Sequence, residues 1–416
     1  MGVLSVAQIQ ATFKEKILPI VPKLYSIEDT LCSWIKRGQA EKVSDRAMRI
    51  ALRSSPGGIT AGMDYNGGSF PAGTASLFKE AQVTTIGLVH ARQLNTKAIW
   101  ATANKDQAVV IGLANEVAEG MIEFKTVLDK MLQVSNDGVM ARIQGVGAAP
   151  TYDVAHASNP FGSQLLREGN VYDVYAADLT TLRANGPYYI VQDGGLDYVG
   201  KTATTTVAIT AGAQHDCFIA RGLVSASLAG LPYHINSSAS GTWQNLARTA
   251  PYVRARSIDA AGAGLSLDDL RRSLNLVRLR KGVSMTKSLT PYCNVQQSHA
   301  YEALGIAISE IAKGASTDKL ELLFGEMTIA GRKAMENSNA DPTKLQWIER
   351  SAFGWAVMKD IGDYEVDGTH IFPVYDTTTG VPKAQIWFAL GCQMQLFCTD
   401  VTNMSYIFGL ALPPGY

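Results

Sequence analysis

Residues 106–133 read DQAVVIGLANEVAEGMIEFKTVLDKMLQ, and their pattern decides how the rest of the chain is organised. Val110, Ala114, Val117, Met121, Phe124, Leu128 and Met131 recur at alternating steps of four and three. That spacing matches the helical repeat and draws a single apolar stripe. Glu116, Glu119, Glu123 and Lys130 fall off the stripe. At 1.5 Å per residue the helix would be ~40 Å long, enough to span a domain. Asn136-Asp137-Gly138 supplies the stop. A two-stranded coiled coil would show the same stripe. A single helix flanked by strand-like sequence predicts instead a helix packed on a sheet.

Upstream, residues 54–73 read SSPGGITAGMDYNGGSFPAG, a glycine-rich stretch with two prolines. Such composition makes a long irregular loop or a hairpin tip. Residues 82–98 then alternate like a strand, with Ile86 and Leu88 on one face and Val89 and Ala91 on the other. Residues 1–57 carry a short helical face at Val6, Ile9, Phe13 and Ile17, broken by Pro19 and Pro22. A mixed-charge helix is predicted near Ser44–Leu52. The region has too few apolar residues for its own core and reads as an arm lying on something else.

Downstream, the signals turn to β. VYDVY at 171–175, PYYIVQD at 187–193 and TTTVAIT at 204–210 are β-branched or aromatic runs. Asn185-Gly186 and Asp193-Gly194-Gly195 mark turns between them. Short strands at this spacing predict a small barrel or sandwich. Helices return at Ser266–Lys281, where Ser266 and Asp269 approximate a capping box and Leu270, Leu274 and Val277 form the buried face. A further helix is expected over 295–312. In 392–398, Cys392, Met394, Leu396 and Cys398 alternate with Gln393, Gln395 and Phe397, which predicts a half-buried strand. The fold class is α+β.

The chain has 416 residues, long enough for two or three domains, and 46% of them are hydrophobic, which excludes a disordered chain. Lys+Arg and Asp+Glu both number 37, so the formal net charge is zero. A general attraction to nucleic acid or membrane is therefore not indicated, and repulsion between copies is weak. Five cysteines with no CxxC pair indicate reduced thiols, and with them a cytoplasmic place of synthesis. No apolar run is long enough to cross a bilayer, and the N-terminus lacks a signal-peptide layout.

The sequence carries no complete catalytic or metal signature. His90, His156, His215, His234, His299 and His370 are scattered, with no HExxH. His215 and Cys217 would share one strand face, but two ligands make only a fragment of a metal site. Gly145-Val-Gly147-Ala-Ala-Pro150 puts proline where a dinucleotide loop needs its third glycine. Asp64-Tyr-Asn66-Gly-Gly68 opens like a calcium loop, but its twelfth position is Ala75, which has no carboxylate. One basic cluster stands out, formed by Arg248, Arg254, Arg256, Arg271, Arg272, Arg278, Arg280 and Lys281. Arg271, Arg278, Arg280 and Lys281, on or beside one helix, are candidates for phosphates or for acidic patches on neighbouring subunits; the alternative is a solvated helix face.

Several segments together resemble a tailed-bacteriophage major capsid protein. They are DYNGGSFPAGTASLFKEAQVTTIGLVHARQLNTKA at 64–98, the long helix, and KMLQVSNDGVMARIQGV at 130–146. REGNVYDVY at 167–175, GLPYHIN at 230–236 and PYCNVQQSHAYEAL at 291–304 fit the same pattern. No motif is catalytic and none is specific alone; their order carries the resemblance, over most of the chain from about residue 50.

The resemblance implies an HK97-like capsid fold. Residues 1–57 would be the N-terminal arm and 58–104 an extended loop reaching over a neighbouring subunit. Residues 105–150 would hold the spine helix of a peripheral domain, and 151–220 a β-rich segment, a possible barrel insertion. Residues 221–350 would form the axial domain, with 351–416 returning to the peripheral sheet. Asp64, Tyr65, Asn66, Phe70, Phe78 and Lys79 would then be inter-subunit contacts. The implied partners are other copies, in hexamers and pentamers, a portal protein, a separate scaffolding protein, a decoration or cement protein, and double-stranded DNA on the inner face. No cofactor, no enzymatic activity and no membrane are implied, and the place of action would be the virion. Lys79 and Lys97 lie where some members cross-link, but no motif identifies a partner, so no cross-link is expected. A nanocompartment shell protein of the encapsulin type is the alternative of the same fold. An enzyme with an unrecognised site and an internal nucleic-acid binder are the other classes.

Overall fold

The computed structural model describes residues 27–35, 41–42, 47–62, 72–95, 112–146, 149–184, 186–210, 212–224, 226–311, 328–329, 331–365, 371–376, 378 and 380–413. In chain order the main elements begin with α1 (Thr30–Trp34), β1 (Met48–Ser55), β2 (Leu77–Val83), β3 (Ile86–Asn95) and α2 (Gly112–Leu132). They continue with β4 (Val139–Arg142), β5 (Val171–Tyr175), β6 (Cys217–Ala220), β7 (Arg256–Asp259), α3 (Leu267–Lys281), β8 (Leu289–Cys293) and α4 (Val295–Ile311). The last are β9 (Met335–Glu336), β10 (Leu345–Glu349), β11 (Phe353–Asp363), β12 (Ile371–Tyr375), β13 (Pro382–Cys398) and β14 (Ser405–Phe408). Two compact units divide the chain: Met1–Ile27, Leu88–Thr126 and Ile361–Cys392 form one, and Glu28–Gly87, Val127–Asp360 and Gln393–Tyr416 the other.

In the first unit, β12 pairs antiparallel with β13, with Ile371 opposite Phe388 and Phe372 opposite Trp387. The Phe372 and Trp387 rings stack with centroids 4.6 Å apart. Strand β3 also pairs with β13. An ionic clamp holds β3 on α2. The Arg92 guanidinium pairs with both Glu116 and Glu123, two turns apart on one helix face, and His90 Nε2 lies 3.5 Å from Glu123 Oε2. Burial works against the Arg92 charge, but the two carboxylates outweigh it and hold its pKa above the usual value. A Cβ on Gly120 would lie 3.3 Å from Leu390 and 3.4 Å from Arg92, so the small residue lets both strands approach the helix. Glu123, off the apolar stripe, is thus buried and paired.

The second unit is built around a five-stranded mixed sheet in the order β7-β14-β10-β8-β9. Helix α3 packs on it. Leu270, Leu274 and Val277 join Leu289, Leu345, Trp347 and Ile407 in one buried cluster, so the predicted apolar face is the one buried. The Ser266 hydroxyl caps the helix, accepting from Asp269 N–H at 3.1 Å. Ser273, inside the same face, accepts from Trp347 Nε1 at 2.8 Å and so satisfies the buried indole.

The C-terminal end of α2 is tied into this unit by polar contacts. The fully buried Asp129 carboxylate accepts from the backbone N–H groups of Leu31 and Cys32, at 2.8 and 3.1 Å. It also accepts from the side-chain amides of Asn337 and Asn339, both at 3.0 Å. Tyr292 donates to Gln133 Oε1 at 2.9 Å, and Lys130 Nζ donates to Leu166 O at 2.7 Å. A Cβ at Gly230 would fall 2.2 Å from Val134 O and 2.4 Å from Leu132 O, so only glycine lets the chain cross the helix end this closely.

Two further expectations meet a different outcome. Met48–Ser55 is a strand, not part of a mixed-charge helix over 44–52. Its ladder to β2 satisfies every second residue's backbone, which outweighs a weak helical pattern. The β-rich region forms two four-stranded sheets, joined by an antiparallel bridge between Ile190 and Thr205. One orders β4-β6-β5 with Tyr188–Tyr189, and the other uses residues 145–146, 151–153, 196–197 and 202–204. Finally, in the 392–398 segment of β13 only Gln393 is not buried, because both faces of the strand are covered.

Candidate inter-subunit surfaces

Strands β1 and β2 form a two-stranded antiparallel ribbon, with Met48 opposite Val83, Ile50 opposite Ala81 and Arg53 opposite Phe78. Pairing continues past the strands: Gly58 N–H donates to Thr74 O at 2.7 Å. A Cβ on Gly57 would lie 2.6 Å from Ser76 N, so glycine is required where the two chains close. The base is anchored. Val83 packs with Ala356 and Phe397, with Met48 and Ile50 against them, and Gln82 N–H donates to Gln244 O at 2.9 Å.

Burial falls along the ribbon. On one face of β2, Val83 and Ala81 are buried, whereas Leu77, on the same face toward the tip, is 59% exposed. Phe78 is 64% exposed and Ile59 50%. No third strand joins this ribbon among the described residues. A two-stranded ribbon is marginal in water by itself, and its outer edges present unpaired backbone groups. Of the expected contact residues, Phe78 and Lys79 are exposed on this ribbon. Asp64, Tyr65, Asn66 and Phe70, like Lys97, lie outside the described residues.

The basic cluster is resolved into two kinds of side chain. Arg248 is buried, lies over the Tyr233 ring at 5.3 Å and donates to Tyr233 O; it is a core residue. Lys281 pairs with Asp400 at 2.7 Å, and Arg272 lies 3.9 Å from Asp268 and 3.7 Å from Asp269. Arg278 donates to Asn275 Oδ1 at 3.3 Å, and Arg271 is exposed. Arg280 turns away from them and donates to the carbonyls of Arg254, at 2.8 Å, and Pro251. Arg280 thus supports the backbone of the 251–254 segment.

His215 and Cys217 do not share a site. The Cys217 thiol is buried, and burial pushes its pKa up to about 11, whereas the exposed His215 ring meets His156 edge-on with centroids 4.5 Å apart. That histidine pair was not legible in sequence, because 59 residues separate its members.

No family model matches the chain, and no curated relative matches it. Solved structures do. A chain of the cyanophage A-1(L) capsid asymmetric unit aligns over 98% of this chain and 99% of its own, with a TM-score of 0.59 at 12% identity. A chain of the capsid of the native GTA particle aligns over 98% and 97%, at 8% identity and a TM-score of 0.49. A chain of the holo-SrpI encapsulin complex from Synechococcus elongatus PCC 7942 aligns over 99% and 97%, at 10% identity and a TM-score of 0.48. The end-to-end match to the cyanophage chain establishes the fold: this protein has the HK97-like capsid fold.

Proposed function

We propose that this chain is a major capsid protein. It self-assembles into hexamers and pentamers that close an icosahedral head around double-stranded DNA in a tailed phage. The carrying observation is the ribbon of β1 and β2, anchored at Val83 and uncovered at Leu77 and Phe78, on a chain with the fold of a phage capsid subunit. An exposed aromatic on an open-edged ribbon gains burial and backbone partners when it lies on another copy. In this reading residues 1–57 include the arm, 58–104 complete the extended loop, and 221–350 line the capsomer axis. Asp64, Tyr65, Asn66, Phe70, Phe78 and Lys79 contact the neighbour. A portal, a separate scaffolding protein and a decoration protein complete the particle, which is assembled in the host cytoplasm. The role is structural and not enzymatic.

The test is negative-stain microscopy with sedimentation velocity on the purified chain, with and without co-expressed scaffold. A second sample has residues 59–73 replaced by a two-residue turn that keeps β1 and β2. Shells or capsomer rings in the first sample and only monomers in the second are expected. A monomer or dimer in both samples would overturn the reading. Shells filled with a cargo protein rather than nucleic acid would transfer it to the encapsulin type.

A further inference from the structure

A recess of about 160 Å³ opens in the second unit between the 251–257 segment and the end of α3, lined by Ser237, Pro251, Arg254, Arg256, Ser257 and Arg280. Three arginines line it, and the charges of Arg254 and Arg256 both act on Arg280. Arg280 is fixed by its bonds to the carbonyls of Arg254 and Pro251. The Ser257 hydroxyl donates to Ser237 Oγ at 2.9 Å, and Ser237 lies 2.9 Å from Tyr406 Oη, so one wall is a hydroxyl chain. Arg254 and Arg256 enter no ion pair among the described residues. Asp400, the nearby acid, is engaged by Lys281 at 2.7 Å.

We propose that this recess receives a carboxylate side chain from a second copy of the chain, gripped by Arg254, Arg256 and Arg280. The inference rests on the shell reading above. Three like charges around one recess repel each other, and a fold keeps such an arrangement when an anion relieves it. The lowered pKa of Arg280, caused first by burial and then by Arg256, agrees with that. The chain has 37 cations and 37 anions, so each copy carries as many acidic groups as basic ones. A neighbouring copy therefore carries the complementary charge. A DNA duplex fits less well. It needs an extended basic track, and the adjacent Arg272 and Lys281 are already paired with acids.

The experiment compares the full chain with the Arg254→Gln/Arg256→Gln double variant, leaving Arg280 in place because it supports local backbone. Assembly is followed by sedimentation velocity against protein concentration and sodium chloride, with unfolding and duplex-DNA binding measured on the dissociated subunit. The double variant is expected to need about tenfold more protein for half-assembly and to lose much of its salt dependence, with an unfolding midpoint equal to or above that of the parent. The double lysine variant should recover part of the loss. Parental assembly with unchanged salt dependence would overturn the inference alone, since the parent would still form shells. So would a lowered unfolding midpoint, which would mark the arginines as structural, or lost DNA binding with intact assembly, which would assign the recess to phosphates. A parent chain that forms neither rings nor shells would overturn the shell reading and this inference together.

Discussion

Asp129 and Asn339 stand 210 residues apart in sequence and share a buried hydrogen bond of 3.0 Å. With Asn337 and the N–H groups of Leu31 and Cys32, they join the end of α2, the segment after β9 and the first turn of α1 through one carboxylate. Asp129→Ala would leave four buried donors without their acceptor. It is expected to cost about 3 kcal/mol in urea-unfolding stability of the subunit. Asp129→Asn keeps one oxygen but turns an amide toward donors, so a loss of about half that size is expected.

Arg92 makes a second prediction. Arg92→Ala leaves the buried Glu123 carboxylate without its guanidinium, and a loss of ~3 kcal/mol is expected in the same assay. Arg92→Lys cannot fork between Glu116 and Glu123 and should recover only part of it. Thermal unfolding in low and high salt should give nearly the same difference, because the clamp is mostly shielded from solvent.

His234 predicts acid sensitivity. It is fully buried, accepts from Trp243 Nε1 at 3.1 Å, and burial lowers its pKa to about 3. The folded pKa lies below the unfolded one, so the unfolded chain binds the proton first as pH falls. The contribution is present above pH 6.5 and is lost toward pH 3, with a slope approaching ~1.4 kcal/mol per pH unit. Urea titrations across this window should show the slope in the parent, and His234→Gln should flatten it.

On the alkaline side a buried lysine and buried thiols oppose each other. Burial lowers the Lys130 pKa to about 8, so the folded chain releases that proton before the unfolded chain does, and stability rises from about pH 8 toward 10.5. Burial raises Cys217 to about 11 and Cys293 to about 12 from 9.0, so the folded thiols hold their protons longer and stability falls as pH passes 9. A shallow maximum between about pH 8 and 9 is expected (a few tenths of a kcal/mol above pH 7.5), since burial raises Cys398 as well, and Lys130→Met should remove the rise while keeping the fall.

Much of the architecture was legible in the residues. The four-and-three spacing from Val110 to Met131 marked the long helix, and its described part is Gly112–Leu132. Ser266, Leu270, Leu274 and Val277 marked α3 with its cap and buried face. These signals are local: helix periodicity and a cap involve neighbours within one or two turns. The ribbon was read only in part. Its loop is rich in glycine, but β1 carries four charged or hydroxyl-bearing residues, Arg49, Arg53, Ser54 and Ser55, that conceal its strand character. Its cross-strand partners lie about 30 residues away, beyond any local pattern.

By itself, the sequence determined an α+β chain with a long helix behind a glycine-rich loop, electrically neutral and free of any catalytic signature. Only the tertiary structure decided that Glu123 faces Arg92, that Asp129 gathers donors from three segments, and that Arg254, Arg256 and Arg280 surround one recess. The physical reason is the range of the interactions. Backbone propensity and periodicity act over a few residues and leave their mark in the order of the side chains. Ion pairs and buried hydrogen bonds act between segments that only the folded chain brings together, where low dielectric and lost solvent make each partner matter.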